Sequence, residues 1–287
     1  MKKTLIALTV AASAAVSGSA MAALGGWSEG SNGNNVNIGG TITFDKTPAW
    51  LVATGSGFSG FSNENADLTG DNKLLTVNAP ETIPVVAIKS KEAYTANEYS
   101  KGTMPSVVIS GGDDIAISRT NWSDGRFDFS VPIYVNGAIA GTATFVKAAP
   151  AGLMYGANVN GTSGIKLAVS DNYNVATSLY AGLVGGNSQA VDVAKTESIM
   201  TSLGFSDLIT ETKDKVGSFS TWSDNKWIMS LTPANAVTKF NTESISKAAT
   251  AFVFGIEQNG IINLAFNNAI QSTTEWTVPL KVAVTYN

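Results

Sequence analysis

The chain has 287 residues, 18 of them basic and 22 acidic, and contains neither cysteine nor histidine. A disulfide framework, Ser-His-Asp or Cys-His catalysis and the common zinc ligand sets are therefore unavailable to it. A net charge of −4 argues against nucleic acid or anionic lipid as its main partner.

Met1–Ala22 reads as a secretory signal peptide. Lys2 and Lys3 precede an apolar run from Leu5 to Val16, and Ala20-Met21-Ala22 fits a small-x-small cleavage site. The run is too short for a membrane span. Its removal leaves 16 basic against 22 acidic residues and implies export. The remaining length suits one large β domain with an insertion, or at most two small domains.

Residues 23–45 read as an N-terminal extension. A Gly- and Asn-rich lead is followed by Val36, Ile38, Gly40, Ile42 and Phe44 on alternate positions. That is the period of a strand with one face on a core. Gly55-Ser-Gly57-Phe-Ser-Gly60 matches G-x-G-x-x-G, but Phe61-Ser-Asn-Glu-Asn brings no helical apolar period after it. It reads as a glycine-rich turn, not a dinucleotide site.

Short strands are then expected at Leu74–Val77, Ile83–Ile88, Val107–Ile109 and Ile115–Ile117. Asp113-Asp114, beside Gly111-Gly112, reads as a solvated loop and is assigned no catalysis. Phe127 to Val135 and Ile139 to Phe145 alternate around Asn136-Gly137, the strongest short-range hairpin signal. Phe252, Phe254 and Ile256, then Asn259-Gly260, then Ile262, Leu264 and Phe266 predict a second hairpin of the same form.

Between the hairpins the pattern changes. Pro150–Gly186 is rich in Gly, Asn and Ala, with a strand expected at Ala176–Leu183. Ser188–Val216 has helical spacing, broken at Gly204, with Ser206-Asp207 as a candidate cap for the second piece. This helical excursion reads as an insertion on a β scaffold, and insertions often carry binding.

The chain closes on Trp276, Val278, Leu280, Val282, Val284 and Tyr286, again every second residue. Pro279 has no N–H for a ladder and places this stretch at an edge or bulge. From alternation alone, the simpler arrangement is that Val36–Phe44 and Trp276–Tyr286 pair within one closed sandwich. The other is that the domain lacks a strand beside Trp276–Tyr286 and receives it from the arm of another copy.

The ending Ser272-Thr-Thr-Glu-Trp-Thr-Val-Pro-Leu-Lys-Val-Ala-Val-Thr-Tyr286 closely resembles the C-terminus of the FaeG family, the major adhesive subunits of chaperone–usher fimbriae in enteric bacteria. Val36-Asn-Ile38-Gly-Gly40-Thr-Ile42-Thr is similar to that family's donor segment. Lys91-Glu-Ala-Tyr94, Gly55 to Phe61 and Thr196-Glu-Ser-Ile-Met-Thr-Ser-Leu203 also have counterparts in it. The resemblance implies a mainly β fold: an incomplete immunoglobulin-like sandwich spanning 46–287, completed by donor-strand exchange and carrying a partly helical insertion at about 152–216. It implies a periplasmic chaperone, an outer-membrane usher, other copies of the same chain, and host glycolipid or glycoprotein carbohydrate as partners. It implies no cofactor, no nucleic acid and no enzyme activity, in a fimbrium on the bacterial surface.

The donor strand is then Val36, Ile38, Gly40, Ile42 and Phe44, and the strand that receives it Trp276, Val278, Leu280, Val282, Val284 and Tyr286. Asp171, Asn172, Tyr173, Asn174 and Tyr180 supply the polar groups and aromatic faces of a sugar site near the insertion. Tyr173 and Tyr180 read equally as packing residues, and Asp171-Asn172 as an ordinary turn. Three further readings compete with the adhesin: a purely structural subunit, an outer-membrane barrel and a secreted glycosidase. The helical insertion interrupts the regular strands a barrel needs. No pair of carboxylates stands out for a glycosidase.

Overall fold

The structure is a computed structural model and describes residues 40–42, 50–101, 104–171, 178–186 and 189–286. Its strands begin with β1 (Gly40–Ile42), β2 (Trp50–Thr54), β3 (Leu68–Thr69), β4 (Leu74–Asn78), β5 (Ile83–Ser90) and β6 (Tyr94–Thr95). A short helix α1 (Ala96–Lys101) leads to β7 (Pro105–Gly111), β8 (Thr120–Ser123), β9 (Arg126–Val135), β10 (Ala138–Asn158) and β11 (Gly164–Ser170). Helices α2 (Val193–Ser202) and α3 (Ser206–Val216) precede β12 (Trp222–Met229), α4 (Ala236–Thr242), β13 (Ile245–Ile256), β14 (Ile261–Phe266) and β15 (Leu280–Tyr286).

These strands form the two layers of a sandwich. One runs β2-β5-β13-β10-β11-β12 and uses the second half of β10. The other runs β3-β4-β14-β10-β9-β8 and uses its first half. A smaller sheet, β1-β15-β7, joins the second layer through a bridge between Tyr134 and Thr277. Aromatic rings from the two layers meet in the core: Phe127 stacks on Phe254 at 5.7 Å and 8°, and Phe129, itself stacked on its cross-strand neighbour Phe145 at 4.6 Å and 6°, lies 6.1 Å from the same Phe254. Leu280, Val282, Val284 and Trp50 close the same cluster.

Asn136 and Gly137 take φ of 50° and 77°, the left-handed pair a two-residue hairpin turn requires, and β9 and β10 pair across them. The second expected hairpin does not form. Residues on either side of Asn259-Gly260 go to different layers, β13 beside the second half of β10 and β14 beside its first half. The turn, with Asn259 at φ 64°, is a corner between sheets, held by hydrogen bonds between Ala79 and both Asn259 and Gly260.

That corner follows from β10, whose 21 residues run well past the expected end at Phe145. Its ladder with β9 shifts between Phe145 and Ala148, where Lys147 adopts φ 57° and donates its N–H to Asp128 Oδ1 at 2.8 Å. Beyond this bulge the strand changes partners. Pro150 lies opposite Phe254 on β13 before β11 begins to pair at Leu153, so it needs a ladder on one side only.

The sheet built on the second half of β10 is buried on both faces. Phe252 and Phe254 face the inter-layer core, while Ala87, Ala149, Ala151, Ala249 and Ala251 lie under α2 and α3 with Ile199, Met200, Leu203 and Leu208. Small side chains on that face let the helices approach the sheet closely. Gly204, at φ 85°, separates the two helices at the expected break. Asp192 caps α2 by accepting from the Lys195 N–H. At α3 the cap position is Phe205, with Ser206 already helical and Asp207 in the first turn, so the expected Ser206-Asp207 cap is displaced by one residue. The expected strand at Ala176–Leu183 is absent from its described part: Ser178–Leu183 is a chain of turns. Ile115–Ile117 reduces to an isolated bridge at Ala116, with Ile115 exposed.

Candidate assembly edge and insertion surface

The closing stretch behaves as two pieces divided at Pro279. Thr277 exchanges both backbone hydrogen bonds with Tyr134 of β9, at 2.8 and 2.9 Å. From Leu280 the chain leaves β9 and pairs antiparallel with β7 over its whole length, from Leu280 opposite Gly111 to Tyr286 opposite Pro105. Pro279, with no N–H to donate, occupies the switch, so the ladder does not run unbroken from Trp276. Leu280, Val282 and Val284 are buried, while Trp276, Val278 and Tyr286 are half-buried and pack on the same core. On the opposite face Lys281 Nζ reaches Asp114 Oδ1 at 2.7 Å.

The other side of β15 is occupied from within the chain. β1 pairs with it in parallel, Gly40 opposite Val282, Thr41 opposite Ala283 and Ile42 opposite Val284. Val36, Ile38 and Phe44 lie outside the described residues. β15 thus has seven partners on the β7 side and three on the β1 side among the described residues. Parallel ladders are also the weaker kind per residue.

Of the sugar-site candidates, Asn172, Tyr173 and Asn174 lie outside the described residues. Asp171 is buried at 5% exposure, accepting hydrogen bonds from Ser178 Oγ at 2.8 Å and Ser230 Oγ at 3.4 Å. Tyr180 has no exposed surface. Its ring stacks on Phe252 at 5.0 Å, and its hydroxyl donates to Thr250 Oγ1 at 2.9 Å. Burial raises the Tyr180 pKa well above the usual phenol value. A ligand arriving from solvent meets neither the Tyr180 ring nor the Asp171 carboxylate. Both are drawn inward because the turns at 178–183 lie along β7: Tyr180 N donates to Pro105 O, and Val107 N to Ala181 O.

Sequence reading missed the charged groups that fix the insertion helices to the sheet. Arg126 grips Glu257 with two bonds, Nε–Oε2 at 2.5 Å and Nη2–Oε1 at 2.6 Å, and Ser202 of α2 donates to the same carboxylate. Burial opposes ionisation of Glu257, but the bonds from Arg126 and Ser202 outweigh it and hold the pKa below the usual carboxylate range. Lys89, buried in β5, bonds Glu211 of α3 at 2.7 Å, and Lys215 reaches the other oxygen at 3.0 Å. Tyr155 donates to Glu197 of α2 at 2.5 Å. Lys215 and Glu211 have the i,i+4 spacing of a helix pair, but no spacing rule exposes the others, whose members stand 42 to 131 residues apart. Among the described residues no group of three or more Asp and Glu could hold a metal ion, and no helix is long and apolar enough to cross a membrane.

The family model described as "Fimbrial, major and minor subunit", of the K88 type, matches residues 1–287. K88 fimbrial protein AB of Escherichia coli is 30% identical over 294 residues, covering all of both chains, and K88 fimbrial protein AD of the same organism is 30% identical over 308 residues with the same coverage. The F41 fimbrial protein of Escherichia coli is 36% identical over 137 residues, 48% of this chain and 47% of its own. The chain belongs to the K88 family of fimbrial subunits.

Proposed function

We propose that this fimbrial subunit polymerises by donating residues 36–44 to the β15 edge of the next copy. A periplasmic chaperone holds that edge beforehand, and an outer-membrane usher directs the exchange. The observation that carries this reading is the unequal flanking of β15, seven antiparallel pairs on one side against three parallel pairs on the other. A short parallel strand is a replaceable occupant of the groove. A longer donated strand adds the burial of Val36, Ile38, Ile42 and Phe44, at about 1.5–3 kcal/mol each if fully buried. The gross gain of roughly 6–12 kcal/mol is comparable with the net stability of a whole domain. Deleting Asn35–Phe44 tests the reading. Export and chaperone binding persist while polymers disappear; normal fibres from that deletion would refute it.

The fibre also binds host glycolipid or glycoprotein carbohydrate through the insertion, with Asn172, Tyr173 and Asn174 as the remaining members of the candidate set. The second reading, a purely structural subunit, gains from the burial of Tyr180 and Asp171. Asn172→Ala with Tyr173→Ala in assembled fibres separates the two: loss of binding to intestinal glycolipids supports the adhesive reading, and unchanged binding removes these residues from it.

A further inference from the structure

A cleft of about 750 Å³ opens between the loop from Phe61 to Asn72 and the loop from Phe266 to Trp276. It lies outside the insertion, on the approach to β15. Its volume falls within the range of small-molecule sites, about 300–1,000 Å³. The rings of Phe61 and Trp276 lie nearly parallel, 5.8 Å apart at 22°, with Phe58 edge-on to Phe61 at 4.9 Å. Both Phe61 and Trp276 keep part of their surface open to solvent.

Around these rings stand the side-chain amides of Asn63, Asn65, Asn72 and Gln271, none of which has a protein hydrogen-bond partner among the described residues. The walls are fixed by backbone bonds. Ile270 N donates to Asn72 O at 2.9 Å and Phe266 N to Lys73 O at 2.8 Å, while Asp71 and Asn72 hold left-handed φ of 56° and 60°. The amides are therefore presented on a frame that does not have to be assembled by the ligand.

We infer that this cleft is a binding site for a neutral oligosaccharide. An aromatic face suits the C–H side of a pyranose ring, and carboxamides, each both donor and acceptor, match adjacent hydroxyls. The sign of the ligand follows from charge. No Lys or Arg lines the cleft, and its one carboxylate, Glu64, repels sialic acid or phosphate while accepting bonds from hydroxyl groups. The inference shares with the proposed function the premise that the fibre binds glycans, and it adds a site that the insertion does not supply.

The test uses purified fibres of the full-length mature protein and three probes: lacto-N-tetraose, maltotetraose and the anionic sialyllactose. Wild type, the cleft variant Asn63→Ala/Asn65→Ala/Gln271→Ala and the insertion variant Asn172→Ala/Tyr173→Ala are compared by equilibrium dialysis. Asn63, Asn65 and Gln271 are exposed, so their truncation leaves the core intact. We expect affinity for a neutral tetrasaccharide at the cleft to fall about tenfold or more in the cleft variant, while the insertion variant keeps that site and loses only the binding that the insertion itself contributes. Binding lost only in the insertion variant overturns the cleft and keeps the adhesive insertion. Binding of sialyllactose alone overturns the cleft's neutral specificity. Absence of all three from wild type overturns the cleft, and the adhesive reading then stands or falls on the glycolipid assay.

Discussion

Val284→Asp interrogates the pairing edge most directly. Val284 is 2% exposed, lies opposite Val107 on β7 and packs in the core shared with Trp50 and Val282. Removing its side chain from that core forfeits about 1.5–3 kcal/mol. A carboxyl group in the same place has its pKa raised by about 3–5 units, and at about 1.36 kcal/mol per unit, counted only from the unfolded pKa of about 3.9 up to pH 7, this adds roughly 4 kcal/mol at neutral pH. The sum is comparable with the whole stability of a domain, about 5–15 kcal/mol. Thr285→Asp, one residue on, is the control: Thr285 is exposed, and its change should cost about 1 kcal/mol or less. The pH dependence has a definite sign. A folded pKa raised above the unfolded value of about 3.9 makes the penalty grow as pH rises from there towards the folded pKa. Urea unfolding of both variants at pH 4 and pH 7 should therefore show a larger gap from wild type at pH 7 for Val284→Asp only. Equal behaviour of the two variants would mean that β15 is out by one residue, which exchanges its two faces.

Two further outcomes follow from the packing. Glu257→Gln removes the charge that Arg126 and Ser202 hold while keeping the side chain's size, and should cost about 2–3 kcal/mol at pH 7. Because the folded pKa of Glu257 is depressed, its contribution is present above the unfolded value of about 4.3 and lost as pH falls through the folded one. The gap in thermal stability between variant and wild type should accordingly narrow as pH falls below that unfolded value. Gly55→Ala would set a Cβ 1.8 Å from the Pro84 carbonyl oxygen, a contact that only backbone movement relieves. A loss of about 1–3 kcal/mol or more in urea unfolding is expected, and a wild-type midpoint would mean that β2 does not end against β5 as described.

Several elements were legible in the sequence because a local rule decides them. Asn136-Gly137 dictates a reversal, and alternation before and after it dictates the paired strands. Asn259-Gly260 carries the same local signal, yet a turn specifies only that the chain reverses, not which neighbour the next strand selects. The partner of β13 and β14 was β10, through contacts distant in sequence. The second half of β10 was hidden for a different reason. Ala149, Ala151 and Leu153 meet the helices while the alternate positions meet the other core, so no polar face remains to mark a period of two. Alternation also marked Gly40–Ile42 and Leu280–Tyr286 as strands, with pairing inside one chain as the simpler arrangement, but held no information on their parallel sense. Tyr180 reads in the sequence either as a sugar-site ring or as a packing residue, and its burial is decided by the turns at 178–183 lying against β7, which no local signal shows.

The continuity of β10 has a mechanical consequence. Fully extended, its 21 residues would reach about 70 Å, and they belong to both layers in succession. Tension that draws one layer away from the other is transmitted along covalent backbone through Lys147 and Pro150, not across side-chain contacts alone. To part the layers, the strand must slide past β9 and β14 at one end or β13 and β11 at the other, shearing many hydrogen bonds at once. This one spine resists such a load in both halves of the sandwich.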